Sequence, residues 1–376
     1  MKWINSTALF FCLVGVPVYG LSTSPAQPKN GLKWEPKVKS LEERRKLRGM
    51  KHESEVISSI GFHHIEFYCG DAKTTSQIFS MALGMSSTGS TGQHTGNDKC
   101  VSYGLESGDV RFLLTAPYSQ QVSSAQSTAT VNDAADFDAP ATLPGFEPAM
   151  AHDFFSKHGL AARAIGIEVK SAANAFKNAV ERGAVPVVEP TFVPACSGQE
   201  KLVGSAMPGC ELAEVELYGD VVLRFISFPE TMEFDLEAGK RLPFLPHLAP
   251  TGKQRKSFGI RRIDHAVGNV PNLAEALERV AGFTGFHEFA EFTPEDIGTV
   301  ESGLNSVVLA SDSEDVLLPL NEPTEGKYVH RSYVLRFTSF FERAISKPYI
   351  VSFSGENLRS KRTWSKTREQ VSNTWH

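Results

Sequence analysis

Residues 258–322 read FGIRRIDHAVGNVPNLAEALERVAGFTGFHEFAEFTPEDIGTVESGLNSVVLASDSEDVLLPLNE. A short apolar strand carries His265 beside Asp264 and gives way to a turn at Pro271. A helix rich in Ala, Leu and Glu follows, and then strands ending in a hairpin around SDSED. Working outward, the same order recurs twice. GFHHIEFYCGDAKTTSQIFSMALGM places His63 and His64 on a strand, a turn at Gly70–Asp71, and a helix that stops at Gly84. ARAIGIEVKSAANAFKNAVERGAV repeats the plan, with Ser171 as N-cap and Gly183 as the stop. Aligned on these first strands, His64 falls on Gly166 and on His265. Each copy ends in a hairpin, and Gly108–Asp109 and Gly219–Asp220 supply turn residues that tolerate positive φ. The fold class is α+β, built from one repeated βαβββ module. One module cannot close a sheet, so paired modules form half-barrel domains.

The chain has 376 residues, 41% of them apolar, enough for two packed domains. A net charge of −5 gives no reason to expect a nucleic-acid partner. Cys12, Cys69, Cys100, Cys196 and Cys210 show no CxxC spacing, which argues against a cysteine-built zinc site. Cys69 reads as a small buried apolar residue. Cys196 and Cys210 are free to bridge a loop in an oxidising compartment, though nothing requires it.

The organisation expected along the chain begins with a signal-like segment at 1–20, where Lys2 precedes the apolar run ALFFCLVGVPV. That run is right for a signal core and too short to span a bilayer. Residues 21–59 are transit-like or linking, acid-poor as far as Glu35, with SLEERRKLRG as a short exposed helix. A signal core followed by such a stretch resembles the two-part presequences of algae with secondary plastids. The expected destination is therefore a plastid, with secretion or a cytoplasmic location as alternatives. Modules one and two form a domain over 60–229, interrupted by a polar insertion at about 118–150. A proline-broken linker covers 230–257, and module three covers 258–326. Residues 327–376 read as a basic tail: from Tyr328 on, nine Lys and Arg stand against three Glu. No strand-helix-strand order is visible in it, so module three lacks a partner, and a half-built domain with an exposed sheet face is expected to be poorly soluble.

The phrases FHHIEFYCGDA, LLTAPYS, FFSKHGLAARAIGIEV, AEVELYGDVVLRFISFP, IRRIDHAVGNVP and the long run from Val280 to Pro323 carry a resemblance. From about Gly61 to Gly326 the chain resembles the 4-hydroxyphenylpyruvate dioxygenase family of plant and algal type, within the vicinal oxygen chelate (glyoxalase, bleomycin resistance, dioxygenase) superfamily. The resemblance implies conversion of 4-hydroxyphenylpyruvate and O2 to homogentisate and CO2, in tyrosine catabolism and in the supply of plastoquinone and tocopherol precursors. It also implies Fe(II), held by two histidines and a glutamate that leave three coordination positions open. Carried over onto this sequence, His265 is the first metal ligand. Ser306 and Asn321 become polar residues lining the substrate pocket, and Val267, two residues past the histidine, part of its wall. His287 does not match a ligand position, and His63 and His64 read as structural.

The family's second histidine and its glutamate find no matching phrase. His330, Glu342, Glu356 and His376 are present in the tail, each in an unrelated context. The chain as it stands is therefore expected to be inactive. A hydroxymandelate synthase-like enzyme and a non-catalytic binding protein of the same fold are the alternatives. The expected partners are the small-molecule substrate and O2, with no membrane span in the mature chain and homo-oligomerisation left open.

Overall fold

The computed structural model describes residues 54–119, 142–196, 209–229, 244–251, 257–292, 303–324 and 350–354. The first module comprises β1 (Ser59–Tyr68), α1 (Ala72–Leu83), β2 (Ser86–Thr91), β3 (Cys100–Ser107) and β4 (Val110–Pro117). Helix α2 (Pro148–His158) leads into the second: β5 (Ala161–Val169), α3 (Ala172–Glu181), β6 (Pro186–Val193), β7 (Cys210–Tyr218) and β8 (Val221–Ser227). After the short β9 (Ala249–Pro250) comes the third: β10 (Arg262–Asn269), α4 (Leu273–Thr284), β11 (His287–Phe292), β12 (Gly303–Ala310) and β13 (Leu317–Thr324). A last strand, β14, runs Ile350–Ser354.

Each module helix begins where a short polar side chain caps it. Asp71, Ser171 and Asn272 accept hydrogen bonds from the backbone N–H groups of Thr74, Asn174 and Glu275, at 3.0, 3.3 and 3.1 Å. Helix α1 stops at Gly84, whose φ of 64° lies in the left-handed region a side chain disfavours. Helix α3 stops one residue before Gly183, at Arg182. The β3–β4 and β7–β8 hairpins turn at Gly108 and Gly219, both at positive φ.

Two mixed sheets result. The larger has strand order β6-β7-β8-β5-β1-β4-β3-β2-β9, and the smaller β11-β12-β13-β10-β14. In both, the strand that opens a module lies parallel to the strand that closes it. The first strands of modules one and two pair antiparallel, with His64 opposite Gly166. Strand β10 has the same kind of neighbour: β14 pairs with it antiparallel, and His265 faces Ser352. This strand falls within the stretch set apart as a basic tail, and IVSFS carries the β-branched and aromatic residues that favour extended backbone.

One face of each sheet carries the module helices α1, α3 and α4. Ile65, Phe67, Phe112, Ile165, Ile167 and Phe225 from the larger sheet share a buried cluster with Phe176 of α3, Leu277 and Phe283 of α4, and Leu309 and Leu318 of the smaller sheet. The two halves of the molecule thus meet through their helices over one continuous apolar core. Polar ties reinforce the junction. The Val56 N–H donates to the Thr284 carbonyl at 3.1 Å, and the Asn178 amide donates to the Val56 carbonyl at 2.9 Å.

The opposite, inner face of the larger sheet is covered by the chain itself. Phe244, Leu245 and Leu248, from the stretch expected to be only a linker, pack on Leu113, Leu212 and Ile226. Helix α2 closes the neighbouring part through Phe154 against Tyr68 and Ala161. Residues 1–53, including the signal-like and transit-like segments, lie outside the described residues, as do most of the insertion and of the tail. No helix among the described residues is long and apolar enough to cross a membrane.

Candidate active site

Strand β10 alternates between core and inner face. Ile263 and Ala266 enter the shared core, and a register shift against β14 between Ile263 and His265 breaks the alternation there. The irregularity brings Asp264 and His265 to the same cavity, of about 180 Å³. His265 Nδ1 lies 2.9 Å from Asp264 Oδ2, and Arg262 reaches the other carboxylate oxygen at 3.5 Å. The hydrogen bond from His265 holds the Asp264 carboxyl below the usual carboxylate range, against the opposing effect of its burial. An ionised Asp264 only accepts, so Nδ1 of His265 carries a proton and donates it, and Nε2 is the ring nitrogen not engaged by the carboxylate. A carboxylate fixing one imidazole nitrogen so that the other can ligate is a common arrangement behind metal-binding histidines.

The other walls come from the hairpin strands. On β12, Val307 and Leu309 point into the core while Ser306 and Val308 line the cavity. On β13, Leu318 and Leu320 are core while Leu317 and Pro319 line it, and Phe289 and Ala290 of β11 complete it. The cavity is mainly apolar, with an imidazole, a carboxylate and one hydroxyl at its edge. That suits a flat hydrophobic group with a polar end.

The four residues singled out from the sequence are placed as follows. His265 and Ser306 line the cavity together. Asn321 pairs with Ser306 across β12–β13, and its amide reaches Asn269 Oδ1 at 3.4 Å. Val267 is buried at 8% exposure, two residues along β10, outside the cavity lining. His287 opens β11 and is not part of the lining either. The sequence reading did not single out Asp264 as the partner of His265, nor Leu317 and Phe289 as walls. Adjacency gives no signal for the first, because neighbours on a regular strand point to opposite faces.

The ferrous ion implied by the resemblance needs three ligands on one face. Among the described residues, no group of three or more His, Cys, Asp or Glu side chains is arranged to hold a metal ion. At His265 the donor set is one imidazole whose neighbouring carboxylate is already engaged on Nδ1. These residues do not make up a ferrous triad. His330, Glu342, Glu356 and His376 lie outside the described residues.

His63 and His64 sit on the inner face of the larger sheet, at 1% and 0% exposure, in a polar network with Glu66, Glu214 and Arg224. Cys69, Cys100, Cys196 and Cys210 are all buried, and no bridge joins Cys196 to Cys210.

No protein-family model matches the chain. Over 265 residues it is 46% identical to a 4-hydroxyphenylpyruvate dioxygenase of Arabidopsis thaliana, an alignment covering 70% of this chain and 54% of that protein. The enzyme of the same name from Daucus carota is 47% identical over 266 residues, covering 70% and 53%. That of Hordeum vulgare is 44% identical over 274 residues, covering 73% and 55%. The chain therefore spans about half the length of the curated relatives it matches. Among solved structures, a mutant of 4-hydroxymandelate synthase from Streptomyces coelicolor superposes with a TM-score of 0.51 at 16% identity, covering 78% of this chain and 69% of that one. At that identity the likeness concerns the fold.

Proposed function

We propose that this chain is a member of the 4-hydroxyphenylpyruvate dioxygenase family, on its 44–47% identity to the plant enzymes over about half their length, and that the cavity at His265 is the substrate end of a catalytic half-barrel for that reaction. The whole protein would convert 4-hydroxyphenylpyruvate and O2 into homogentisate and CO2. The observation that carries this reading is the Asp264–His265 pair opening on an apolar cavity edged by Ser306. Phe289, Val308, Leu317 and Pro319 give a phenyl ring a desolvated seat, and Ser306 offers a hydroxyl to the polar end of the substrate. Asp264 fixes the orientation and tautomer of His265.

Ferrous iron is the cofactor this reading calls for, with His265 as one ligand. The described residues supply no second or third, so no catalytic step is assigned to the metal. With the single imidazole that the described residues supply, weak Fe(II) binding and no turnover are proposed. A non-catalytic binding role is the second reading, favoured by the same single-imidazole donor set. The proposed compartment is a plastid, on the signal-like and acid-poor character of residues 1–59.

A segment exchange tests the catalytic reading. Residues 258–324 of this chain would replace the matching segment of the Arabidopsis thaliana relative. The chimera is expected to form homogentisate, and His265→Ala in it to abolish the product. A folded chimera that makes no homogentisate would overturn the proposal.

A further inference from the structure

The inner face of the larger sheet holds a buried ionic network that the catalytic reading does not use. Arg224 on β8 is 3% exposed and donates in three directions. Its Nε reaches Glu214 Oε1 at 2.6 Å, one Nη reaches Glu66 Oε2 at 2.6 Å, and the other reaches His64 Nε2 at 2.9 Å. A guanidinium only donates, so His64 accepts at Nε2 and carries its proton on Nδ1. That proton is given to His63 Nδ1, 2.8 Å away. Burial first, and then the neighbouring positive charges, hold both imidazoles neutral. Phe228 and Phe244 close the space over the histidine rings, at 5.4 Å from His63 and 5.7 Å from His64. His247, 3% exposed, is held neutral beside the same guanidinium, and its Nδ1 has no partner among the described residues.

Strand register makes this network the counterpart of the cavity in the smaller sheet. Gly166 of β5 stands opposite Arg224 of β8. Ile65 stands opposite Phe112, so one step back His64 lies beside Arg111. Gly268 stands opposite Leu320, and His265 and Leu317, each three residues before, line the same cavity. The position beside the module's key residue is thus Arg111, Arg224 and Leu317 in the three modules. Two residues past the histidine, Glu66 becomes Val267. Across the closing hairpin, Glu214 pairs with Arg224 where Ala310 pairs with Leu317. Each charged member of the network has an apolar counterpart in the smaller sheet. In both halves the residue before the histidine binds its Nδ1, His63 in one and Asp264 in the other.

We propose that the inner face of the N-terminal half-barrel is a cation site filled by the chain's own guanidinium, Arg224 standing at the position where the C-terminal half-barrel keeps an open cavity. The carboxylates of Glu66 and Glu214 and the Nε2 of His64 form its ligand set, and a planar alkylguanidinium is the free cation they fit.

Thermal unfolding of the full chain carrying Arg224→Ala, with and without ethylguanidinium chloride, tests it. The variant is expected to melt below the parent. Ethylguanidinium is expected to restore part of the loss, rising with the logarithm of its concentration, while lowering or leaving unchanged the parent's Tm. Ethylurea, which has a similar shape and no charge, is expected to restore nothing. A folded variant on which the two compounds act alike overturns the proposal. Should Arg224→Ala not fold, Arg224→Met is compared with the triple variant Glu66→Gln/Glu214→Gln/Arg224→Met. A triple variant more stable than the single one supports a cation holding two carboxylates. A triple variant no more stable shows that the side chain serves as packing, and overturns it.

Discussion

His64 and Gly166 stand opposite each other where β1 and β5 pair, and a Cβ on Gly166 would lie 2.7 Å from His64 Nδ1 and 3.0 Å from the His64 carbonyl oxygen. The two positions are the same position of successive modules, and the imidazole of one occupies the space left by the missing side chain of the other. Gly166→Ala is therefore expected to push the ring off its bonds to His63 and Arg224. A loss of about 1–3 kcal/mol is expected, as for other overpacked cores. Urea unfolding measures it, and an unchanged midpoint would contradict the close approach.

Acid should unfold the larger half of the molecule through its buried histidines. His63 and His64 have their pKa values lowered, by burial first, and His247 is pushed down to about 3. The unfolded chain takes up protons below about pH 6.5 that the folded chain refuses, so stability rises with pH in that range. Above about 6.5 neither state binds them and the contribution is constant. As the pH falls from about 6.5 toward the lowered folded values, each histidine removes on the order of 1.4 kcal/mol per pH unit. Melting curves between pH 5 and 8 are expected to show this acid-side slope, and His247→Gln to reduce it. A flat profile would contradict a neutral buried triad.

Arg279 of α4 ties the two halves together. It donates to the Leu217 carbonyl at the end of β7 and lies 3.9 Å from the Glu216 carboxylate. Arg279→Ala is expected to cost about 1.5–3 kcal/mol, the range for hydrogen bonds to charged groups. Urea unfolding with a probe in each half should show whether the transitions separate. Coincident transitions at the parent's midpoint would rule out this role.

The cysteines should be inert in the folded chain. Burial pushes Cys69 and Cys100 up to about 11 and Cys210 to about 12, so almost no thiolate exists near neutrality. Ellman's reagent is expected to leave these three unmodified until denaturant is added. Rapid labelling of any of them in the native state would contradict their burial.

The module plan was legible in the sequence because each copy carries the same local marks. Asp71, Ser171 and Asn272 cap the helices, Gly108 and Gly219 turn the hairpins, and the helix periodicity separates core from surface. His265 and Ser306 were legible through the family resemblance, and the structure brings both to one cavity. What escaped the sequence depends on contacts between distant residues. Arg224 reads as one more strand residue until β8 is set beside β5 and β1, where it meets Glu66 at a separation of 158 residues. The covering of the inner face by Phe244 and Leu248 was hidden by the prolines around them, which made the stretch read as a linker. Asp264 was hidden by alternation, since neighbours on a regular strand point to opposite faces, and only the irregularity in β10 brings it to the cavity.

The most direct measurement is an anaerobic Fe(II) titration of the purified chain and of its His265→Ala variant, followed by oxygen uptake with 4-hydroxyphenylpyruvate. A single imidazole, oriented by Asp264 but without two further ligands among the described residues, predicts no stoichiometric Fe(II) retention. It also predicts no substrate-dependent oxygen consumption, and a variant that behaves like the parent. One Fe(II) held per chain, lost on His265→Ala, together with oxygen uptake driven by 4-hydroxyphenylpyruvate, would contradict that account and show a complete dioxygenase site in these 376 residues.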